Sequence, residues 1–378
     1  MTRIFDLDGL ASLTIDDDRE RIVRYVDSQL DPYQPSVGVD PETTDVVLCP
    51  NNAILPRSLR DVHGPAGDGR HTCVLDGRCY LMRGDSLFEL PRLSGQTEQV
   101  RLSYDRTFPL WVAFSDLVRP LLQLATIKRG AVVVHGAAVQ LRGGGIVVCG
   151  WSETGKTETA LALAESGARF ISDKWTVIDS NARIHAFPVS VGVRDWVLDY
   201  LPRLRAHLRT SQRARLRASR TARGALPLLS AAGANPITDA AEAQLERVLT
   251  LTGRLSLRQS EVAAIYGSPR DPTATPPLVT LAMLTTVPGE EVTVREAEVG
   301  WTAQRLAQSA AYERRSLYEL DARVRYAAAQ PDPSALVSVA GREADLLRNV
   351  LAGVRLLEVR APFPTDPRKV ADALAQWC

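Results

Sequence analysis

The residues Gly150 to Thr157, GWSETGKT, fit the pattern G-x-x-x-x-G-K-[ST] without adjustment, and each residue type in it has a physical job. Gly150 and Gly155 let the backbone bend so that successive N–H groups face one hollow. A helix starting there aims its positive end into the same hollow. The expected nucleotide-binding set is Gly150, Ser152, Glu153, Thr154, Gly155, Lys156, Thr157 and Glu158. Lys156 can reach the β- and γ-phosphates of ATP as a point charge, and the Thr157 hydroxyl can ligate the Mg²⁺ that bridges them. Glu153 is expected to point outward, because a carboxylate inside a phosphate hollow is repelled. The second chemical residue is Asp173. A carboxylate after a strand, at the edge where open α/β sheets place ligands, can hold Mg²⁺ or take the proton of an incoming hydroxyl. Two plainer readings compete: a glycine turn with no ligand, and an aspartate that only caps a turn.

These residues do chemistry only if a buried strand precedes the loop and a helix follows it. GGIVVCG supplies the strand, and TETALALAESG supplies a run of helix formers ending at Gly167. ARFIS reads as the strand that delivers Asp173. Upstream, a helix over about 109–129 leads into GAVVVHGAAVQLRGGGIVVCG, two strands joined by a glycine turn at 142–145. His135 lies on that run, and its plain reading is a satisfied core histidine. Downstream, WTVID and IHAFPVSV are expected to add antiparallel strands to the sheet edge, followed by a helix in RDWVLDYLPRLRAHL. Arginine is dense from Arg203 to Arg223, as either a solvated helix or a basic cover over an anionic ligand, and 228–235 is small and flexible. The chain then returns to sheet at 273–297, to helix in VGWTAQRLAQSAAYERRSLYELDARV, and ends as helix, strand, loop, helix.

Residues 1 to about 115 read as short strands, among them TDVVLCP, HTCVLDGRCYLMRG and EQVRLSY, with LDGR as a hairpin turn and no chemical motif. The expected organisation is α/β: an N-terminal α+β accessory domain over 1–117, and a loop-bearing domain with a mixed sheet over 118–378 carrying an Arg-rich insertion at about 201–275. The 378 residues are 45% apolar and 24% charged, with a formal charge of +1, which argues against a general nucleic-acid binder. The five cysteines have no C-x-x-C spacing, and Cys73 and Cys79 near His63 and His71 match no zinc pattern. The N-terminus has acids where an export signal needs an apolar core, and no apolar run approaches the roughly 18–20 residues that span a bilayer. A cytoplasmic protein with no membrane partner is the expectation.

The order HGAAV, GWSETGKTETALALAESGARFISD and LAGVRLLEVRAPF resembles the HPr kinase/phosphorylases and their relatives, whose P-loop fold is shared with phosphoenolpyruvate carboxykinases. The similarity covers about residues 118–200 and, more loosely, the ending. It implies that Lys156, Thr157 and the loop backbone hold ATP and Mg²⁺, that Asp173 is the base and a metal ligand, and that His135, fifteen positions before Gly150, lies near the reacting phosphate. It also implies a tendency to homo-oligomers. Where the bifunctional members usually carry a second acid after the Asp, this chain has Lys174, which leaves a kinase intact and puts phosphorolysis in doubt. The leading expectation is an ATP-dependent kinase acting on a hydroxyl of a small molecule or peptide. The alternatives are an HPr-type protein serine kinase, a nucleotide-binding regulatory protein that transfers nothing and, last, a carboxykinase-type enzyme.

Overall fold

The computed structural model describes residues 2–36, 40–51, 61–63, 71–75, 78–93, 99–230, 253–267, 275–327, 329, 334 and 336–378. They are mixed α/β, with several mixed sheets. The chain forms two compact units that interleave along the sequence. One comprises Met1–His135, Val177–Phe187 and Glu298–Gly353; the other comprises Gly136–Thr176, Pro188–Ala297 and Val354–Cys378. The expected division at residue 118 follows the chain, whereas these units draw together segments far apart in it.

The unit containing the N-terminus holds a nine-stranded sheet. Its spatial order is Pro35–Ser36, Thr2–Leu7, Ala11–Asp16, Val46–Pro50, Val100–Tyr104, Ser86–Glu89, Arg78–Arg83, His71–Leu75 and Asp61–His63. Leu75 stands opposite Arg78, which is the expected hairpin, although its turn residues lie outside the described ones. Leu110–Lys128 is continuous helix with a π segment at Phe114–Val118, where Pro120 two residues on has no N–H to give. Its 19 residues are long and apolar enough by composition to cross a membrane, contrary to the expectation that no such run exists; 72% of its apolar window is buried within the protein. The helices Val299–Glu313 and Val339–Val350 pack on each other and on the strand Val132–Val134.

The other unit is built on a six-stranded mixed sheet in the order Arg169–Ser172, Gly136–Leu141, Gly144–Gly150, Leu278–Thr286, Arg355–Ala361, Thr293–Glu296. Gly144–Gly150 and Leu278–Thr286 run parallel, as do Leu278–Thr286 and Arg355–Ala361, while Gly136–Leu141 is antiparallel to both of its neighbours. Two successive antiparallel pairings bring Arg169–Ser172 back to the direction of Gly144–Gly150, so both strands end at the same edge of the sheet. The helix Lys156–Glu165 is buried from Glu158 to Ala164. Ala160, Ala162 and Leu163 face the sheet and the helix Pro367–Ala375, and Leu161 and Ala164 face a second cluster with Phe170 and Val191. That two-sided burial is why TETALALA shows no polar stripe.

The segments after Asp173 do not extend this sheet. Thr176–Ile178 and Ile184–Ala186 join Val132–Val134 in a separate three-stranded sheet, and Val191–Arg194 pairs with Arg254–Leu257 as a two-stranded ribbon. Alternating apolar residues specify a strand and its buried face but carry no information on which strand it pairs with. The arginine-rich region is helical over Pro202–His207 and Thr210–Ser230, and the rest of the stretch read as flexible, 231–235, lies outside the described residues.

Candidate active site

The loop leaves the strand Gly144–Gly150 at a residue that only glycine fits. Gly150 has φ 152°, and a Cβ there would lie 2.7 Å from both the Leu284 carbonyl oxygen and Thr154 Oγ1. Gly155, at φ 90°, is the N-terminal cap of the helix Lys156–Glu165, with no side chain capping it. Its missing Cβ leaves room for the Phe363 ring, which would otherwise stand 3.3 Å away. An uncapped helix start in a left-handed loop is a place for an anion.

Within the loop, Thr154 Oγ1 donates to the Trp151 carbonyl at 3.0 Å, and Lys156 Nζ donates to the same carbonyl. The lysine is buried and folded back on its own loop. Ser152 is exposed. Glu153 sits at φ 62° and points outward, its Oε1 2.5 Å from Arg194 Nη2. Burial pushes the neighbouring Cys149 thiol up to about 12, which makes it an inert core group.

Asp173 follows Arg169–Ser172 and is buried, at 2% exposure. The Thr157 hydroxyl donates to its Oδ1 at 2.7 Å, joining loop and carboxylate. Burial pushes the Asp173 carboxyl above the ordinary carboxylate range. Opposing that push are the Thr157 bond, the Lys174 backbone N–H, and the charges of Lys156 and Arg254. Lys174 itself is exposed at φ 63°, and its carbonyl accepts from Gly136 N at 3.1 Å. The second carboxylate near Asp173 is Glu158, one helical residue beyond Thr157. Burial raises its carboxyl too, and the charge of Asp173 adds to the rise.

Arg194, Arg254 and Phe363 belong to this neighbourhood and had no motif to announce them. Arg194 and Arg254 stand directly opposite each other in the ribbon. A Cβ on Gly192 would collide with the Arg254 guanidinium, so the glycine in VGVR is the one sequence signal, marking a close approach inside a strand. Arg194 lies over the Phe363 ring at 5.9 Å, and Phe363 meets Trp196 edge-on at 6.0 Å. His135 ends the first segment of the unit that contains the N-terminus and is not part of the unit bearing the loop. It is buried, with Nδ1 3.6 Å from Glu313 Oε1.

No model of a known protein family matches the chain. Among curated proteins, it is 33% identical over 95 residues to an HPr kinase/phosphorylase of Lactobacillus acidophilus, a match covering 25% of this chain and 29% of that one. The chain thus matches less than a third of its relative's length, and the likeness is that of a distant relationship.

Proposed function

We propose that the protein is an ATP-dependent P-loop kinase that transfers the γ-phosphate to a hydroxyl of a small molecule or peptide. The observation that carries this reading is the 2.7 Å bond between Thr157 and Asp173, which sets a buried carboxylate against the end of a loop shaped for phosphates. A module that merely binds nucleotide needs no base there, and the distant HPr kinase/phosphorylase likeness points the same way.

The donor set fits Mg²⁺. Thr157 and Asp173 offer two hard oxygens side by side, as Mg²⁺ prefers when phosphates and water complete its shell, and among the described residues no cluster of three His, Cys, Asp or Glu side chains competes for a metal. Thr157 and Asp173 would hold Mg²⁺, which when bound neutralises phosphate charge. The loop N–H groups and the helix start bind the phosphates, with Lys156 turning from the Trp151 carbonyl toward them. Asp173 orients the acceptor hydroxyl and takes its proton as the new O–P bond forms and the bond from γ-phosphorus to the ADP oxygen breaks. Its elevated pKa brings the base closer to neutral pH. His135 takes the place beside the reacting phosphate that the resemblance gives it, and the compartment is the cytoplasm. Nucleic acid and membrane are not partners in this reading; a second copy of the chain is.

The test is incubation of γ-labelled ATP with candidate acceptors, set beside hydrolysis without acceptor. Label retained on an acceptor supports the kinase. Label appearing only as free phosphate, or none released at all, retires it in favour of an ATPase or a regulatory nucleotide binder.

A further inference from the structure

A cavity of about 240 Å³ opens between the turn Asp195–Asp199 and the helix Thr210–Ser230. Four arginines line it, Arg205, Arg213, Arg217 and Arg220, against two aspartates, Asp195 and Asp199. Buried Leu198 and Leu216 complete the wall; Arg205, Arg217 and Arg220 are exposed at its mouth and Arg213 is half-buried.

The charges are unevenly matched. Asp199 accepts from Arg220 at 2.8 Å and faces Arg205 at 4.0 Å, so one carboxylate serves two guanidinium groups. Arg213 spends Nε and Nη2 on the Leu208 and Ala206 carbonyls, at 2.9 and 3.4 Å. Arg217 lines the cavity with an exposed side chain for which no hydrogen bond or ion pair is seen among the described residues. Arg213, Arg217 and Arg220 follow one another at helical spacing, an arrangement that repels itself unless an anion lies between. Planar guanidinium forks are suited to carboxylates held two hydrogen bonds at a time.

The cavity is joined to the candidate active site by short links. Asp195 directly follows Arg194, and Arg215 Nη2 donates to the Arg254 carbonyl at 3.0 Å, tying the helix to the ribbon whose Arg254 charge acts on Asp173. Its volume is below the ~300–1,000 Å³ of pockets that enclose a whole small ligand, and suits side chains of something larger. We propose that this cavity binds carboxylate side chains of the phosphate acceptor, which is an acidic peptide presenting its hydroxyl residue to Asp173. The acceptor role rests on the kinase reading; the carboxylate site does not.

The probe is a fluorescent synthetic peptide with one serine flanked by glutamates, titrated by anisotropy at two salt concentrations against the full chain and against Arg217→Gln and Arg217→Glu. The Arg217 side chain is exposed and has no bond to lose among the described residues, so both variants are expected to melt with the wild type and to bind ATP unchanged. The glutamine variant should bind the peptide about tenfold more weakly and the glutamate variant more weakly still, with wild-type affinity falling as salt rises. Absence of binding by the wild type, equal binding by all three proteins, or complete displacement of the peptide by millimolar inorganic phosphate overturns the proposal; the last makes the cavity a small-anion site. The kinase reading is judged separately: peptide binding that passes these tests, with no label transferred from γ-labelled ATP to any acceptor, leaves the carboxylate site standing and removes the kinase.

Discussion

Asp173 in one unit and Glu343 in the other are both almost fully buried, at 2% and 1% exposure, and burial raises both carboxyls. Their partners differ. Glu343 is held by Arg314 through both terminal nitrogens, one at 3.1 Å, and Arg314 is itself 1% exposed. Asp173 has a hydroxyl and a backbone N–H, while the Lys156 amine, whose charge it feels along with that of Arg254, is turned to a carbonyl. A third buried carboxyl, Asp17, makes the contrast plainer: burial pushes it up, but bonds to Arg19 and Tyr104 outweigh that and bring it below its usual range. Glu343 and Asp17 have their counter-charge or donors in hand, as structural carboxylates do. Asp173 is bonded by neutral donors, the Thr157 hydroxyl and the Lys174 N–H, and the cations Lys156 and Arg254 act on it only through their charge.

The largest expected effect follows from that difference. Asp173→Asn keeps the shape and removes the proposed base, so transfer should slow by about 10²–10⁴ while ATP·Mg²⁺ binding weakens only about fivefold. Single-turnover transfer from γ-labelled ATP, with binding measured in parallel, checks it. Equal losses in binding and rate would make Asp173 chiefly a metal ligand, and an unchanged rate would exclude both roles. Arg314→Ala should do the reverse, destabilising the fold by about 3–5 kcal/mol by stranding Glu343, with the rate per folded molecule unaltered. Chemical denaturation reads the first and active-fraction kinetics the second; a neutral variant would erase the distinction between the two carboxylates. Lys156→Ala should weaken ATP·Mg²⁺ binding by about 1.5–3 kcal/mol, the range for hydrogen bonds to charged groups. Calorimetric titration at unchanged affinity would count against the phosphate loop.

The loop, its flanking strand and helix, and Asp173 were legible because their signals are local: a fixed spacing, a β-branched run, helix formers ending at Gly167. The outward-pointing Glu153 followed from repulsion alone. What stayed hidden depends on partners distant in the chain. Nothing in WTVID or IHAFPVSV says that these strands leave the sheet for Val132–Val134, and nothing in arginine density says that Arg194 meets Arg254 across a ribbon. The second acid was sought after Asp173, where Lys174 stands, yet the buried carboxylate that senses Asp173 is Glu158, carried there by the helix. At that position the backbone N–H of Lys174 bonds the Asp173 carboxylate.

The smallest expected effect is on stability against pH, and it tests the comparison without any acceptor. The folded pKa values of Asp173 and Glu158 both lie above their ordinary 3.8 and 4.5. Groups raised in this way favour the fold fully below the ordinary values, and that contribution is lost as pH rises through the raised ones. Glu343 acts with the same sign, so the slope of the whole protein does not isolate the site; the difference between wild type and Asp173→Asn does. The asparagine variant should match the wild type at acid pH and become the more stable of the two as pH climbs through the raised Asp173 value, by on the order of 1 kcal/mol. ATP·Mg²⁺ should close that gap at neutral pH by supplying the missing cation to the wild-type carboxylate. Melting curves of both proteins across this range, with and without ATP·Mg²⁺, read the effect directly. Parallel curves at every pH would mean that the fold does not disfavour the charged Asp173 carboxylate, and its contrast with the paired Glu343 would fall with it.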